Sequence, residues 1–236
     1  MPTTYQSSPA TIARSTPQKD HRRTHLILML ALTFSTGVID AVGYLGLDRV
    51  FTANMTGNIV MLGMALAGSE HLPVARLALA LVGFVVGAAV AGRWLRTAPA
   101  GWSRRTTALL GAVAGVVLVM SLLLLRVGVH PADPVGSIIT SILAVAMGVQ
   151  AATARLVAVK DVTTVVVTST LTALAADSWP GGAAGLWRRR APAVALMLLG
   201  AAAGTGLLRW NITPALLLSS VVTAGVAVAG HRATRG

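Results

Sequence analysis

Mainly apolar stretches, separated by short polar segments, follow one another along the chain from residue 26 onward. They cover residues 26–45, 50–67, 72–95, 106–125, 135–154, 162–176, 191–208 and 214–229. An apolar stretch of about 20 residues is long enough to cross a bilayer as an α-helix. The pattern therefore predicts an all-α, polytopic helical membrane protein.

Two of these stretches, 50–67 and 162–176, are short and contain many polar residues. The first carries polar side chains at alternate positions: Thr52, Asn54, Thr56 and Asn58. Asp40 lies a few residues earlier, inside the preceding apolar stretch. Polar groups persist in hydrocarbon mainly where they face protein or water. This part of the chain is therefore our first candidate for a functional site.

The composition supports a membrane protein. Apolar residues make up 55% of the chain and charged residues 11%, whereas a soluble domain carries about 25% charged residues. The mean hydropathy is +0.74. Because there is no Cys, disulfides, thiolate metal sites and thiol nucleophiles are excluded.

The net charge of +12 is concentrated in short basic clusters between the apolar stretches. The clusters lie at residues 22–23, 93–105, 188–190 and 232–235. Basic loops of this kind are typical of the cytoplasmic side of a membrane protein. We therefore expect no nucleic-acid partner, although a basic protein can bind phosphates in general.

The basic clusters also bear on the topology. If all the apolar stretches span and the N-terminus is inside, the cluster at 93–105 falls outside, against the positive-inside rule. If stretches 50–67 and 162–176 are instead re-entrant or broken helices, six spans remain and every basic cluster is cytoplasmic. Each half then has three spans, so the two halves are inverted relative to each other.

The same reasoning gives the domain boundaries. Residues 1–25 are rich in Ser, Thr, Pro and charge, which predicts a disordered cytoplasmic tail. Residues 26–230 form a single transmembrane domain with halves at about 26–127 and 135–230. Residues 231–236 form a cytoplasmic C-terminal tail.

A shift of 111 or 112 positions aligns the two halves. Gly37 then falls on Gly148, and Asp40 falls near Gln150 or Ala151. Thr56-Gly57-Asn58 falls on Thr168-Ser169-Thr170. Chance similarity between Ala- and Val-rich helices is the alternative. Short, polar-interrupted segments at corresponding positions of two halves point to a transporter site.

Each candidate site residue also has a structural interpretation. Asp40 can carry a proton, bind a cation or pair with an Arg, or it can make a structural hydrogen bond. Asn54, Thr56, Gly57 and Asn58 can line a solute site, or they can cap a broken helix. Gln150 and Thr168 are candidates as their counterparts in the second half. The Gly-x-x-x-Gly spacings at 83–87, 111–115 and 200–204 predict close packing inside the bundle.

Enzymatic sites are not evident. The chain has no Ser–His–Asp constellation, no phosphate-binding glycine loop followed by Lys, and no His-Glu-x-x-His motif. The five histidines lack paired metal-ligand spacing. We therefore predict no enzyme, no catalytic residue, no metal and no cofactor.

The segment GVIDAVGYL around Asp40, followed by FTANMTGNIVMLG, resembles the YoaK family of small bacterial membrane proteins, a domain-of-unknown-function family. A second family motif is echoed around Gln150 and Thr168, but Ala151 and Ser169 stand where the family has Asn and Gly. The resemblance implies a six-span protein of the bacterial inner membrane. It implies no established substrate.

Together these features predict a transporter or channel for an unknown small solute or ion. Its site lies near the membrane midplane, at Asp40 and the Asn54–Asn58 turn. The alternative is an accessory or assembly membrane protein without transport activity, and an intramembrane enzyme ranks below both. The lipid bilayer is the expected partner, both termini are expected in the cytoplasm, and a homo-oligomer is left open.

Overall fold

A computed structural model describes residues 17–47, 49–69, 72–99, 101–127, 134–157, 172 and 187–235. This part of the chain is all-helical. Its helices are α1 (Pro17–Gly46), α2 (Met55–Leu66), α3 (Val74–Leu95), α4 (Arg104–Val127), α5 (Pro134–Val157), α6 (Trp187–Leu208) and α7 (Ile212–Ala233). Six of them are long and apolar enough to cross a membrane, and α2 is not. The predicted fold class is confirmed.

The first and last helices extend beyond the predicted domain boundaries. Helix α1 begins at Pro17, so residues 17–25, expected to belong to a disordered tail, are helical. Helix α7 continues to Ala233, past the expected domain end at residue 230. Helical hydrogen bonds can continue through polar residues beyond the apolar part of a helix, which hydropathy alone does not detect. Residues 1–16, and nearly all of stretch 162–176, lie outside the described residues.

Contacts between side chains give the directions of the helices. Ser35 on α1 meets Ser219 on α7, with 2.6 Å between the two hydroxyl oxygens. Gly46, at the end of α1, faces Ile212, at the start of α7. Later residues of α1 thus meet earlier residues of α7, and the two helices are antiparallel.

Helices α4 and α7 are antiparallel in the same way. The hydroxyl of Ser220 donates to the Ala114 carbonyl at 2.8 Å. The hydroxyl of Ser121 donates to the Thr213 carbonyl at 3.0 Å. Because α1 and α4 both oppose α7, they run in the same direction.

Helix α3 runs opposite to α4 and therefore opposite to α1. Arg105 on α4 donates to the Trp94 carbonyl of α3 at 2.9 Å, so the end of α3 lies beside the start of α4. At the other end of the bundle, Arg76 near the start of α3 donates to the Leu47 carbonyl just after α1, at 3.5 Å. Helix α1 thus ends where α3 begins.

The segment between α1 and α3 is therefore re-entrant. It leaves and rejoins the same end of the bundle, and α2 has only 12 residues. Such a helix is about 18 Å long, shorter than the roughly 30 Å hydrocarbon core. Helix α2 packs on α3 through Met61, next to Leu77 and Ala80.

Glycines bring α3 and α5 into backbone contact. A Cβ added at Gly87 would overlap the Val145 carbonyl, and one added at Gly148 would overlap the Phe84 carbonyl. Gly83 lies against the Ser141 carbonyl, one turn before the Gly87 contact. Residue numbers rise together on the two helices, so α3 and α5 are parallel.

Helices α1 and α6 make the same kind of backbone contact at glycines. We call each of these two helix–helix contacts a seam. A Cβ added at Gly200 would overlap the Phe34 carbonyl, and one added at Gly37 would overlap the Met197 carbonyl. Gly204 lies against Val38, one turn further along both helices. Residue numbers again rise together, so α1 and α6 are parallel.

The two seams correspond residue by residue. Gly37 and Phe34 map onto Gly148 and Val145 by the shift that aligns the halves in the sequence. Gly87 maps onto Gly200, and Phe84 onto Met197, by nearly the same shift. Since α5 is parallel to α3 and therefore antiparallel to α1, the repeated units are inverted relative to each other.

The third glycine pair does not pack inside the bundle. A Cβ added at Gly111 or Gly115 of α4 would meet nothing within 4 Å. The packing prediction is therefore confirmed for 83–87 and 200–204 and is wrong for 111–115. A spacing of four residues places two glycines on one helix face but does not determine which way that face points.

The basic clusters at 22–23, 93–105, 188–190 and 232–235 lie at one end of the bundle, whereas Arg49, Arg76, Arg126 and Arg209 lie at the other. The end with the clusters, the basic end, holds the starts of α1 and α6, the connection between α3 and α4, and the end of α7. The charge-based topology predicts the same grouping. That this end faces the cytoplasm stays a prediction.

Candidate functional site

Asp40 attaches the re-entrant loop to α1. Its Oδ1 accepts hydrogen bonds from the backbone N–H groups of Thr52, Ala53 and Asn54, at 3.1, 2.8 and 3.4 Å. The Asp40 residue is 5% exposed. It lies six residues before the end of α1, about 9 Å along the helix axis. The loop after Leu47 must therefore descend into the bundle to reach it.

The docked loop leads directly into the first turn of α2. Asn54 is the N-cap, and its Oδ1 accepts from the Gly57 N–H at 3.2 Å. The start of a helix carries unsatisfied N–H groups and a partial positive charge. Because the Asp40 carboxylate binds the N–H groups just ahead of α2, it is placed to offset this charge at membrane depth.

Asn58, which lies within α2, hydrogen-bonds back to the beginning of the same loop. Its Nδ2 donates to the Phe51 carbonyl at 2.6 Å, and its Oδ1 accepts from the Phe51 N–H at 3.0 Å. A Cβ added at Gly57 would lie 2.9 Å from the Phe51 ring, so glycine permits this close approach. The Phe51 ring also stacks on Tyr44 of α1, with 4.8 Å between ring centroids.

Three buried side-chain oxygen atoms have no hydrogen-bond partner in the described part of the chain. They are Oδ2 of Asp40, Oγ1 of Thr52 and Oε1 of Gln150. The Thr52 hydroxyl is close enough to the carboxylate to interact with it, although the geometry falls short of a hydrogen bond. Buried polar atoms are usually paired, because leaving them unpaired costs free energy. Asp40 therefore has unused capacity to bind a proton or a donor group.

Gln150 of α5 contacts α1 one turn before Asp40. Its Nε2 donates to the Thr36 hydroxyl at 3.2 Å. Thr36 lies four residues before Asp40 and therefore on the same face of α1. The shift that maps Gly37 onto Gly148 gives Ala151, not Gln150, as the counterpart of Asp40. Gln150 thus reaches the site by packing across to α1 rather than by occupying the equivalent position.

The remaining predicted residues divide into three groups. Asn54 and Asn58 hold the loop, as the capping interpretation of the turn suggested, and Gly57 makes room for Phe51. Thr56 is exposed in the first turn of α2 and does not face Asp40. Thr168 lies outside the described residues.

Sequence reasoning missed Thr36 and Arg76 and did not assign a role to Thr52. Thr36 could have been found, because its spacing of four from Asp40 places both on one helix face. The alternating pattern marks Thr52 as polar without giving it a role. Arg76 is 5% exposed and donates to Ser137 as well as Leu47, and an Arg at the start of an apolar stretch gives no signal that distinguishes it from an interfacial anchor.

A second polar cluster lies between α1 and α7. The Ser35 hydroxyl lies 2.6 Å from that of Ser219 and 3.1 Å from that of Thr223. All three residues are buried, and each has a partner within the cluster. Within the described ranges, no group of three His, Cys, Asp or Glu residues is arranged to hold a metal ion.

Comparisons with known proteins agree with this architecture. Residues 28–229 match the family described as "Protein of unknown function (DUF1275)". The UPF0700 transmembrane protein YoaK of Bacillus subtilis (strain 168) is 33% identical over 156 residues, which cover 66% of this chain and 67% of that protein. No solved structure gives a significant match.

Proposed function

This chain belongs to the DUF1275 family of transmembrane proteins of unknown function, and on that premise we propose that it moves a small solute or ion across the bacterial inner membrane. Both termini and the basic end of the bundle then face the cytoplasm, as the positive-inside rule requires. The site lies where the start of α2 meets Asp40.

The observation that supports this proposal is a half-helix that starts inside the bundle opposite a buried carboxylate. In many secondary transporters, interrupted helices from inverted repeats form the substrate and ion sites near the midplane. Here the halves are inverted, α2 is too short to span, and its N-terminal turn lies beside Asp40. Irregular backbone at membrane depth is tolerated where it is buried in protein or lines a cavity.

The alternative is an accessory or assembly protein without transport. It is favoured by the number of structural bonds, since Asp40 Oδ1, Asn54 and Asn58 all hold the loop in place. The three unpartnered oxygens are not needed for that role, and they favour transport. Catalysis is not part of the proposal, because a single carboxylate with hydroxyls and amides supplies no second convergent acid or base.

A flux assay with reconstituted protein tests the proposal. Proteoliposomes would be challenged in turn with Na⁺, K⁺ and NH₄⁺ salts and with a panel of small neutral and zwitterionic solutes. Currents, internal pH and vesicle volume would be recorded against empty vesicles.

We expect flux from the wild-type protein, and loss of that flux in Asp40→Asn at equal reconstitution. Thr205→Ala, at an exposed position on α6, is the matched control and should keep it. Flux that persists in Asp40→Asn would mean that the transport site lies elsewhere in the protein. No flux for any solute would favour the accessory role.

A further inference from the structure

We propose that Asp40 binds a proton at Oδ2 and that this proton releases the start of α2 from α1. This inference rests on the proposed function, because it names the ion that would control the proposed transport site at Asp40. The two oxygens of the Asp40 carboxylate differ in their hydrogen bonds. Oδ1 accepts three backbone N–H groups, whereas Oδ2 finds no partner among the described residues.

The chemistry is a simple protonation. A proton from water binds a lone pair of Oδ2, and the carboxylate becomes a neutral carboxylic acid without any other covalent bond of the protein forming or breaking. The new O–H is a donor, and Oγ1 of Thr52, whose backbone N–H already bonds to the carboxylate, is an unpartnered buried acceptor. Oε1 of Gln150 is a second unpartnered oxygen, on a side chain bonded to Thr36 one turn before Asp40. Asp40, Thr52 and Gln150 are 5%, 0% and 3% exposed, so bulk solvent does not take the place of these acceptors.

A proton fits this site better than a metal cation. Hard cations such as Ca²⁺ and Mg²⁺ take about six to eight oxygen ligands. The described side chains offer three unpartnered oxygens, and only one belongs to a charged group. The N–H groups around the start of α2 also point their positive ends at the carboxylate, which opposes a second positive ion there. A proton needs one oxygen only.

Protonation weakens the attachment of the loop. Hydrogen bonds to an ionised acceptor are roughly twice as strong as those between neutral groups. Neutral Asp40 would therefore hold the N–H groups of Thr52, Ala53 and Asn54 less firmly. It would also no longer offset the partial positive charge at the start of α2. Both changes favour separation of the loop from α1.

No other acidic group in the described spans can take over this role. Asp40 is the one acidic residue within the six of them. Residues 191–208 of α6 and 212–230 of α7 contain no ionisable side chain, and α5 carries only Arg155, near its far end. The Thr52 hydroxyl and the Gln150 amide do not titrate.

Among the described residues, three other titratable side chains lie near the re-entrant loop by position; Asp48, at the start of the same connection, lies outside the described residues. Tyr44 stacks its ring on Phe51, and Arg49 is exposed just before the loop. Arg76 of α3 reaches the Leu47 carbonyl. Substitution of Asp40 alone therefore separates its contribution from that of these three groups, because all of them are kept in the variant.

Two measurements on the full-length protein in lipid vesicles test the proposal. The first is infrared difference spectroscopy between acidic and alkaline buffer, with wild-type protein and with Asp40→Asn. We expect a protonated carboxyl band from a buried group in the wild type and its loss in the variant. This measurement uses the native loop, so it does not depend on an engineered cysteine.

The second measurement is cysteine labelling in the Cys-free background. Ala53→Cys places a thiol on the docked loop, and Ser69→Cys is a control at an exposed position of the same connection. The ratio of their rates with a water-soluble maleimide removes the pH dependence of the reagent. We expect the ratio to rise about tenfold on acidification, a factor that corresponds to about 1.4 kcal/mol. In Asp40→Asn the ratio should be high at every pH.

The outcomes separate this inference from the proposed function. A labelling ratio that does not change with pH, or an infrared band that remains in Asp40→Asn, would overturn the inference even if Asp40-dependent flux is found. A ratio that responds to Na⁺ or K⁺ at constant pH, and not to protons, would also overturn it. A proton-dependent ratio without any flux would support the inference and contradict transport.

Discussion

The two halves of this protein share their packing but not their chemistry. The seam between α1 and α6 and the seam between α3 and α5 use glycines at corresponding positions, and each glycine meets the same kind of backbone atom. At the centre of the bundle the correspondence fails, because the residue that matches Asp40 is Ala151. Helix α1 therefore carries the carboxylate that attaches a re-entrant loop, whereas the equivalent position of α5 has no carboxylate.

The difference shows which positions are constrained by symmetry. Backbone contact tolerates no side chain, so both seams keep small residues. A carboxylate inside the bundle is costly unless its partners are present, and one such group is sufficient to offset the start of one half-helix. Inverted repeats can thus retain their shape while the site becomes asymmetric.

The largest effect we expect is the presence or absence of labelling at two positions. It tests whether stretch 50–67 turns back within the membrane, on which the inversion of the halves depends. Ser69→Cys lies in the connection between α2 and α3, and Thr97→Cys lies at an exposed position at the basic end of the bundle. A membrane-impermeant maleimide applied to intact cells should label the first and not the second. Labelling of both after lysis is the control. Labelling of Thr97→Cys alone on intact cells would contradict the predicted orientation.

Asp40→Ala makes the first half resemble the second at this position. It leaves three N–H groups without this acceptor, and the one from Thr52 is buried, where an unsatisfied donor costs about 1–3 kcal/mol. We expect the loop to detach and the thermal midpoint in detergent to fall further than in any seam or asparagine variant. Asp40→Asn keeps an acceptor oxygen and should cost less, so equal losses would argue against the hydrogen bonds as the cause.

Substitutions in the seams test their equivalence. Gly87→Ala and Gly200→Ala each place a methyl group against a backbone carbonyl, and overpacking of this kind costs about 1–3 kcal/mol. We expect similar losses of thermal stability from both, measured by circular dichroism of the purified protein. Gly92→Ala and Gly206→Ala, on the same helices with open space around them, should be neutral or stabilising. A large loss in only one seam would contradict the equivalence.

The smallest effect separates the two asparagines of the loop. Asn58→Ala removes both hydrogen bonds to the Phe51 backbone in a buried position, which should cost about 1–3 kcal/mol. Asn54→Ala removes one exposed N-cap bond, worth about 1 kcal/mol. Thr56→Ala is the neutral control. Thermal midpoints that fall in the reverse order would mean that the hydrogen bonds between Asn58 and Phe51 do not hold the loop.

Much of the fold could be predicted from the sequence because the membrane constrains it strongly. Hydropathy gives eight apolar stretches that include the six spans, and the basic clusters already favour a stretch 50–67 that does not cross. The partners of Asp40 could not be predicted, since they are backbone N–H groups of a loop that begins to meet it twelve residues later, and they appear only when the chain folds back. The different roles of Asn54 and Asn58 likewise depend on where Phe51 lies.

Which helices pair at the two seams could not be predicted from the sequence for a related reason. A stripe of small residues shows that a helix can be approached closely, but it does not name the helix that approaches. Gly111 and Gly115 have the same spacing as the seam glycines and face open space. The internal repeat is the better guide, because it relates whole contacts rather than single residues.

The seam between α1 and α6 has a consequence for biosynthesis. Helix α1 is synthesised before α6, and α3, α4 and α5 lie between them in the sequence. Until α6 has been made, the glycine-bearing face of α1 lacks this partner. A nascent chain stalled before α6 should therefore be a substrate for membrane quality-control proteases, and the finished bundle should resist them.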